Sequence, residues 1–350
     1  MNTDELASKN SVWHLLKELS SKAGITDIII NGSNNVYVER ANEFIRLSTE
    51  LKREDIYQFC QEIAQFNKTT LTETNPIIDG RLPDGSRINI ISDMYTTGTH
   101  AITIRKYLKH IKTFDSSPGI FGIKDLRWIE FFRALVNARS NILISGGTGA
   151  GKTTFMNLML QEIPKTQRVI TIEDTRELQF NLTNVVRLEA KNTVFNTTNA
   201  LTTRQLLKNT LRMRPDRIIV GEVRGEEAFD LLQAMNTGHD GSMSTLHSNS
   251  PSEALIRLEN LFLLAGYDIP TRPLRYQIAK AIDYVIQIGR NKEGERVLMS
   301  VTEVVGMEED RILQQEIGAY KEDTFEFTGL VPAKMRDLIK VGLDPAFFNK

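Results

Sequence analysis

The sequence is poor in cysteine, in aromatic residues and in net charge. Cys60 is the only cysteine among 350 residues, which excludes an intramolecular disulfide and any metal site built from several thiolates. The formal net charge is only -1, so the chain as a whole is not an electrostatic binder of nucleic acid. Aromatic residues make up 7 % of the chain, which offers little surface for stacking on bases. The lack of cysteine fits a reducing compartment, so we expect a cytosolic protein.

Long apolar runs are absent as well. No apolar stretch approaches the roughly 20 residues that span a bilayer. The first ten residues are polar and carry Asp4 and Glu5, so they lack the positive region and the apolar region of a signal peptide. We therefore expect no direct insertion into a membrane, and any membrane association must come through a partner.

The length and one change of composition indicate two domains. A chain of 350 residues exceeds the usual size of a single domain. Between residues 106 and 122 the apolar periodicity is lost, and serine, proline and glycine accumulate around Pro118. We place a linker or hinge at 108–121, which predicts a smaller N-terminal domain at 1–107 and a larger domain at 122–350.

Local patterns predict an α/β fold in both domains. Helical spacing of apolar residues and β-branched runs alternate along the N-terminal domain. In the C-terminal domain, strands and helices alternate in the manner of a parallel sheet covered by helices on both faces. There the predicted elements are helices at Asp125–Ala138 and from Lys152, and strands at Asn141–Ser145, Arg168–Ile172 and Arg217–Val220.

A glycine-rich segment between a strand and a helix carries the phosphate-loop pattern G-x-x-x-x-G-K-[ST]. Such a loop turns backbone N–H groups inward, and the following helix N-terminus favours negative charge. Lys152 is expected to contact the β- and γ-phosphates of ATP, and Thr153 is expected to bind Mg²⁺. A chance glycine-rich turn is the alternative, and the flanking strand and helix disfavour it. The predicted nucleotide-binding residues are Gly146, Gly147, Thr148, Gly149, Ala150, Gly151, Lys152, Thr153 and Thr154.

Two further predicted strands end in carboxylates. Glu173 and Asp174 follow an apolar run, and the carboxyl end of a strand in such a sheet faces the nucleotide. Glu173 is a candidate for orienting or deprotonating the attacking water, and Asp174 for supporting the metal. Glu222 ends the other strand in the position of a Walker B acid and is a second metal candidate. Ordinary solvated strand ends are the alternative for all three.

Two of the five histidines, His239 and His247, flank a predicted strand in a polar segment. A metal site is the obvious alternative, but no cysteine and no close third ligand accompanies them. A histidine that merely satisfies local hydrogen bonds is another alternative. We favour a role for both as sensors of the γ-phosphate.

Taken together, these motifs resemble the secretion-ATPase superfamily, which combines a Walker A loop, an acidic box, a Walker B strand ending in Gly-Glu and a histidine box. Within it, the chain looks most similar to the CpaF-like ATPases of Tad (Flp) pilus assembly. The absence of a tetracysteine motif disfavours the type II secretion and pilus extension branch, and retraction ATPases fit the Arg-Met-Arg-Pro-Asp run less well. The runs that carry the resemblance are Leu211–Gly225, Leu232–Ser242, Ile29–Gly32, Val36–Arg40 and Asp79–Ile88.

This resemblance implies a hexameric ring in which ATP and Mg²⁺ lie between the N-terminal domain and a RecA-like P-loop NTPase domain. Arg81, Arg87 and Arg105 match the family's phosphate-contacting arginines, although solvated charges at a strand edge are an equal alternative. The implied partners are identical subunits and the inner-membrane platform proteins of a pilus, with the ATPase peripheral at that membrane.

The sequence must also be weighed against other functions. A type IV secretion traffic ATPase has the same motifs. A nucleic-acid translocase can contain the same type of ATPase domain. Such a protein binds nucleic acid through basic residues, and this chain lacks an overall basic charge. A small-molecule kinase is disfavoured by the N-terminal domain and the histidine box, and a scaffold without hydrolysis is disfavoured by Glu173 and Glu222.

Overall fold

The computed structural model describes residues 10–40, 43–106, 112–190, 201–266 and 269–349. The chain divides into two compact units: the described residues up to Lys106 belong to the first, and those from Lys112 onward belong to the second. Residues 108–111 of the predicted linker lie outside the described residues. The described remainder belongs to the second unit, where Phe114 and Phe121 are buried in the hydrophobic core.

Within its described residues, the first unit consists of a six-stranded sheet and two α-helices. All its strand pairs are antiparallel, in the order β3-β2-β1-β6-β5-β4. Asn10 caps the first helix by accepting the N–H groups of Val12 and Trp13. The elements are α1 (Ser11–Ser20), β1 (Ile25–Ile30), β2 (Val36–Arg40), β3 (Glu43–Arg46), α2 (Arg53–Phe66), β4 (Ile77–Arg81), β5 (Arg87–Ile91) and β6 (Ala101–Arg105).

The two faces of this sheet differ in chemistry. Ile28 is paired with Val38 on one side and with Ile104 on the other, and Ile104 is paired with Ile88. These four residues are buried in the core of the unit. Because successive side chains of a strand alternate between faces, their sequence neighbours lie on the opposite face. That opposite face carries charged residues.

The second unit contains a nine-stranded sheet in the order β15-β14-β13-β12-β7-β11-β10-β8-β9. The strands from β12 to β9 in this order are parallel, and β13, β14 and β15 extend the sheet with antiparallel pairs. The strands are β7 (Ile142–Gly146), β8 (Val169–Glu173), β9 (Val185–Glu189), β10 (Arg217–Val220), β11 (Met243–His247), β12 (Tyr284–Arg290), β13 (Arg296–Glu308), β14 (Arg311–Lys321) and β15 (Thr324–Phe327).

Helices cover both faces of this sheet, as the sequence predicts. Along β7, Ile142 and Ile144 contribute to one buried cluster and Leu143 to the other, which is the alternation expected of a strand buried on both faces. Within the described ranges, no helix is long and apolar enough to cross a bilayer. The helices are α3 (Arg127–Asn137), α4 (Lys152–Gln161), α5 (Thr203–Thr210), α6 (Glu227–Asn236), α7 (Pro251–Leu264), α8 (Thr271–Ala281) and α9 (Met335–Lys340).

Candidate functional site

The predicted phosphate loop connects the end of β7 to the start of α4. Gly146 lies so close to strand β12 that a Cβ atom there would be 2.5 Å from the carbonyl oxygen of Ile288. Gly151 has a φ of +102°, a conformation that favours glycine. Both positions therefore require glycine for this loop to turn between the strand and the helix.

The loop has the chemistry of a phosphate site. A Cβ atom built on Gly147 would meet nothing within 4 Å, so the loop is open at this residue. The Lys152 ammonium donates to the carbonyl oxygens of Gly146 and Gly147 at 3.0 Å each and lies against the loop. Burial lowers the pKa of Lys152, and nearby Glu222 opposes that shift. A half-buried ammonium beside a helix N-terminus fits a phosphate group.

Four neighbouring strands bring the predicted motifs to one edge of the sheet. The order β7-β11-β10-β8 is parallel throughout, so their carboxyl ends lie together. Gly146 on β7 is paired with His247 on β11. Glu173 ends β8, and Glu222 follows β10 by two residues. The phosphate loop, both glutamates and His247 therefore share this carboxyl edge.

Glu173 is a buried acid with one free acceptor. Its Oε1 atom accepts the N–H groups of Glu177 and Leu178 at 2.7 and 2.8 Å. Its Oε2 atom is buried and has no hydrogen-bond partner among the described residues. Burial raises the pKa of Glu173 to about 7, although the two N–H donors act in the opposite direction. A carboxylate with this pKa is suited to accept a proton near neutral pH.

The other predicted carboxylates contact an arginine. Nε of Arg224 donates to Glu222 at 2.9 Å, and Nη1 of Arg224 lies 3.8 Å from Asp174. Asp174 also accepts a hydrogen bond from the Thr203 hydroxyl at 2.9 Å. The structure therefore groups Glu222 and Asp174 around Arg224, a residue to which the sequence motifs assigned no role.

The two histidines lie at opposite edges of the sheet. His247 ends β11 beside the loop, with Nδ1 3.5 Å from the Thr148 hydroxyl. His239 precedes β11, and its carbonyl accepts the Ser242 hydroxyl at the amino end of the strand. The five-residue strand between them spans about 17 Å. Of the two histidines, only His247 lies at the loop, and the sensor role of His239 stays a prediction. His239 packs on the end of α6, where its Nδ1 is 3.3 Å from the Ala234 carbonyl.

Glu177 is a residue of the carboxyl edge that sequence reasoning missed. Its Oε2 atom accepts the hydroxyl hydrogen of Thr153 at 3.4 Å, and its backbone N–H holds Glu173. It lies in the segment after β8, which has no periodic pattern. Only its spacing of four residues from Glu173 connects it with the acidic motif.

The three predicted arginines lie in the first unit, in one cross-strand row. Arg81 is paired with Arg87, and Arg87 is paired with Arg105. Directly paired residues point to the same face of a sheet, so the three side chains share the charged face. Arg87 contacts Asp79 at 2.9 and 3.2 Å, and Arg105 lies 3.3 Å from Asp27. Adjacent like charges are unfavourable in a sheet, and Asp79 and Asp27 offset the charges of Arg87 and Arg105 here.

Comparison with known proteins gives one family. Residues 11–322 match the family described as type II/IV secretion system protein. The chain is similar to the type IV secretion system protein PtlH of Bordetella pertussis, with 33 % identity over 312 residues, covering 82 % of this chain and 92 % of that relative. It is similar to the conjugal transfer protein TrbB of Rhizobium radiobacter, with 31 % identity over 306 residues, covering 86 % and 90 %.

Solved structures share the fold. The Legionella pneumophila ATPase DotB matches with a TM-score of 0.60 and 21 % identity, covering 86 % of this chain and 82 % of that one. The pilus retraction motor PilT with bound ADP matches with a TM-score of 0.62 and 23 % identity, covering 82 % and 81 %. The predicted fold class, a RecA-like ATPase domain with a smaller N-terminal α/β domain, is thereby confirmed.

Proposed function

The chain belongs to the type II/IV secretion system protein family, and from this premise we propose that it hydrolyses ATP to drive a machine of the type IV secretion class. One observation carries the proposal: the phosphate loop, two glutamates and one histidine meet at the carboxyl edge of a single parallel sheet. Relatives named for type IV secretion and conjugal transfer support the choice of machine.

We assign roles by chemistry. Lys152 and the loop N–H groups bind the phosphates, while Thr153 and Glu222 would hold Mg²⁺, which would neutralise phosphate charge. Glu173 accepts a proton from the attacking water, the oxygen of which bonds to the γ-phosphorus while the bond to the ADP oxygen breaks. His247 senses the γ-phosphate near Thr148.

We further propose a ring of six identical subunits, peripheral at the cytoplasmic side of the inner membrane and docked on membrane proteins of its machine. In this ring Arg81, Arg87 and Arg105 complete the shell around the γ-phosphate. The proposal for the arginines is supported by their common face and by the charge that phosphoryl transfer spreads over the γ-phosphate oxygens.

Assembly of a Tad pilus is the second candidate. The run Leu211–Gly225, which includes the whole of β10, favours it. The named relatives favour type IV secretion instead. Neighbouring genes distinguish the two: a prepilin and two membrane-platform genes of the Tad type would favour the pilus, and genes for a type IV secretion channel would favour our first proposal.

The assignment of hydrolysis is tested with Glu173→Gln and Glu222→Gln. At saturating Mg²⁺, we expect both variants to bind a fluorescent ATP analogue with nearly unchanged affinity and to release phosphate at least ~100-fold more slowly than the wild type. Phosphate release and equilibrium binding are measured on the same preparations. Wild-type turnover in both variants would contradict the roles given to these carboxylates.

A further inference from the structure

The hydroxyl group of Thr153 lies within hydrogen-bonding distance of a carboxylate. Its Oγ1 atom donates to Oε2 of Glu177 at 3.4 Å. Thr153 lies in the first turn of α4, directly after Lys152, and both it and Glu177 are partly buried. This contact provides an acceptor for the hydroxyl proton on the side that faces Glu177.

This orientation matters for a hydroxyl group that binds a cation. A threonine coordinates Mg²⁺ through the lone pairs of its oxygen, so its proton must be directed to another acceptor. Groups that accept from a metal ligand orient that ligand and increase its basicity. From this geometry we infer that Glu177 is a positioning residue that sets the affinity of the Thr153 site for Mg²⁺. The inference rests on the proposed binding of ATP and Mg²⁺.

The other acids of the carboxyl edge are engaged differently. Glu222 accepts from Arg224, and Asp174 accepts from Thr203. Glu173 directs Oε1 to backbone N–H groups. Among these four carboxylates, Glu177 is the one whose hydrogen bond with the Thr153 hydroxyl is seen in the described part of the chain.

The side chain of Glu177 can be tested separately from its backbone. Glu177 holds Glu173 through its N–H group, which every non-proline substitution retains. Replacing the side chain therefore removes the acceptor of the Thr153 hydroxyl and leaves the hydrogen bonds to Glu173 in place. The surface pair Thr324 and Glu326 is a matched control, because the Thr324 hydroxyl donates to Glu326 at 2.8 Å in the hairpin of β14 and β15.

The experiment measures Mg²⁺-dependent binding of a fluorescent, non-hydrolysable ATP analogue to the full chain. The wild type is compared with Glu177→Ala, Glu177→Gln and Glu326→Gln, each with Mg²⁺ titrated and with EDTA. We expect Glu177→Ala to raise the Mg²⁺ concentration at half-saturation by about 10- to 100-fold, while binding in EDTA changes less than about 2-fold. Glu177→Gln should recover part of the loss, because its amide oxygen still accepts a hydrogen bond. Glu326→Gln should match the wild type.

Three results would overturn the inference. The Mg²⁺ dependence of Glu177→Ala could equal that of the wild type. Its binding could weaken equally with Mg²⁺ and with EDTA, which would indicate a role in folding. Failure of the wild type to bind the analogue under both conditions would contradict the proposed function itself and, with it, this inference. Thermal unfolding of each variant shows whether the fold is retained.

Discussion

At the scale of single residues, Glu173 has the most unusual environment in the site. It is 3 % exposed, and burial raises its pKa to about 7. Its position at the end of an apolar strand was predictable from the sequence, because a run of apolar residues followed by acids marks a strand end. Its hydrogen bonds to Glu177 and Leu178 were not predictable, because they depend on how the following segment folds back.

The raised pKa predicts how stability depends on pH. The ordinary pKa of 4.5 describes the unfolded chain, and the folded chain titrates near 7, so the folded state binds the proton more tightly. The charged form therefore destabilises the fold progressively as pH rises from about 4.5 to 7, and fully above 7. Glu173→Gln, which stays uncharged, should exceed the wild type in unfolding free energy by up to ~3 kcal/mol at pH 8.

This stability difference is measured by urea unfolding at pH 8 and at pH 5, with the exposed Glu326→Gln as control. The advantage of Glu173→Gln should shrink toward pH 5. An equal difference at both pH values would show that Glu173 is not the group that titrates.

The same group gives a pH dependence of activity. If Glu173 must be charged to accept a proton from water, kcat/KM for ATP hydrolysis should rise about tenfold per pH unit below 7 and level off above it. Steady-state phosphate release over pH 5.5 to 8.5 measures this profile. A flat profile would assign the proton transfer to another group.

At the scale of elements, strand register decides which predicted residues act together. The arginines come from three strands, and only the pairing of β4 with β5 and of β5 with β6 puts them in one row. The length of β11, and not its register, separates His239 from His247, because a five-residue strand spans about 17 Å.

Some elements were predictable and others were not. The bounds predicted for β10, Arg217–Val220, agree with the structure because the run is short, apolar and ends at glycine. The long antiparallel strands β13 and β14 escaped prediction. Register shifts at Val301/Thr302 and Val304/Gly306 break the alternation that identifies a strand in the sequence.

The row formed by Arg81, Arg87 and Arg105 predicts that a substitution in the first unit changes the kinetics of ATP hydrolysis. Replacing Arg87, the middle member, with alanine should lower kcat about 10³-fold, while ATP affinity changes less, as expected for an arginine that meets the transition state. Arg46→Ala, on the edge strand of the same sheet, serves as the control. Steady-state ATPase assays compare both variants with the wild type, and a rise in KM with unchanged kcat in Arg87→Ala would assign Arg87 to ground-state binding instead.

At the scale of the whole molecule, the boundary of the second unit lies earlier than the end of the predicted linker. Phe114 stacks on Phe132 at 5.8 Å between ring centroids, and Phe121 meets Phe155 edge-on at 5.4 Å. Sequence composition could not reveal this, because isolated phenylalanines among serine, proline and glycine resemble a linker.

The buried phenylalanines predict where the chain can be shortened. Removing a buried phenylalanine side chain costs about 3–5 kcal/mol. A chain that begins at Lys112 should therefore unfold at a higher urea concentration than one that begins at Gly122, which lacks both aromatic residues. Phe114→Ala in the full chain should reproduce much of this loss. Equal unfolding midpoints for the two shortened chains would indicate that residues 112–121 are a linker and do not stabilise the second unit.

The most direct test of the account is steady-state ATP hydrolysis by the purified full chain and by Lys152→Ala. Lys152 contacts the loop through Gly146 and Gly147, and its ammonium supplies the charge for the phosphates. We predict Mg²⁺-dependent phosphate release by the wild type, its loss in Lys152→Ala, and much weaker binding of ATP by that variant. Equal turnover in the two proteins, or no turnover in the wild type with the fold intact, would contradict the claim that this chain is an ATPase.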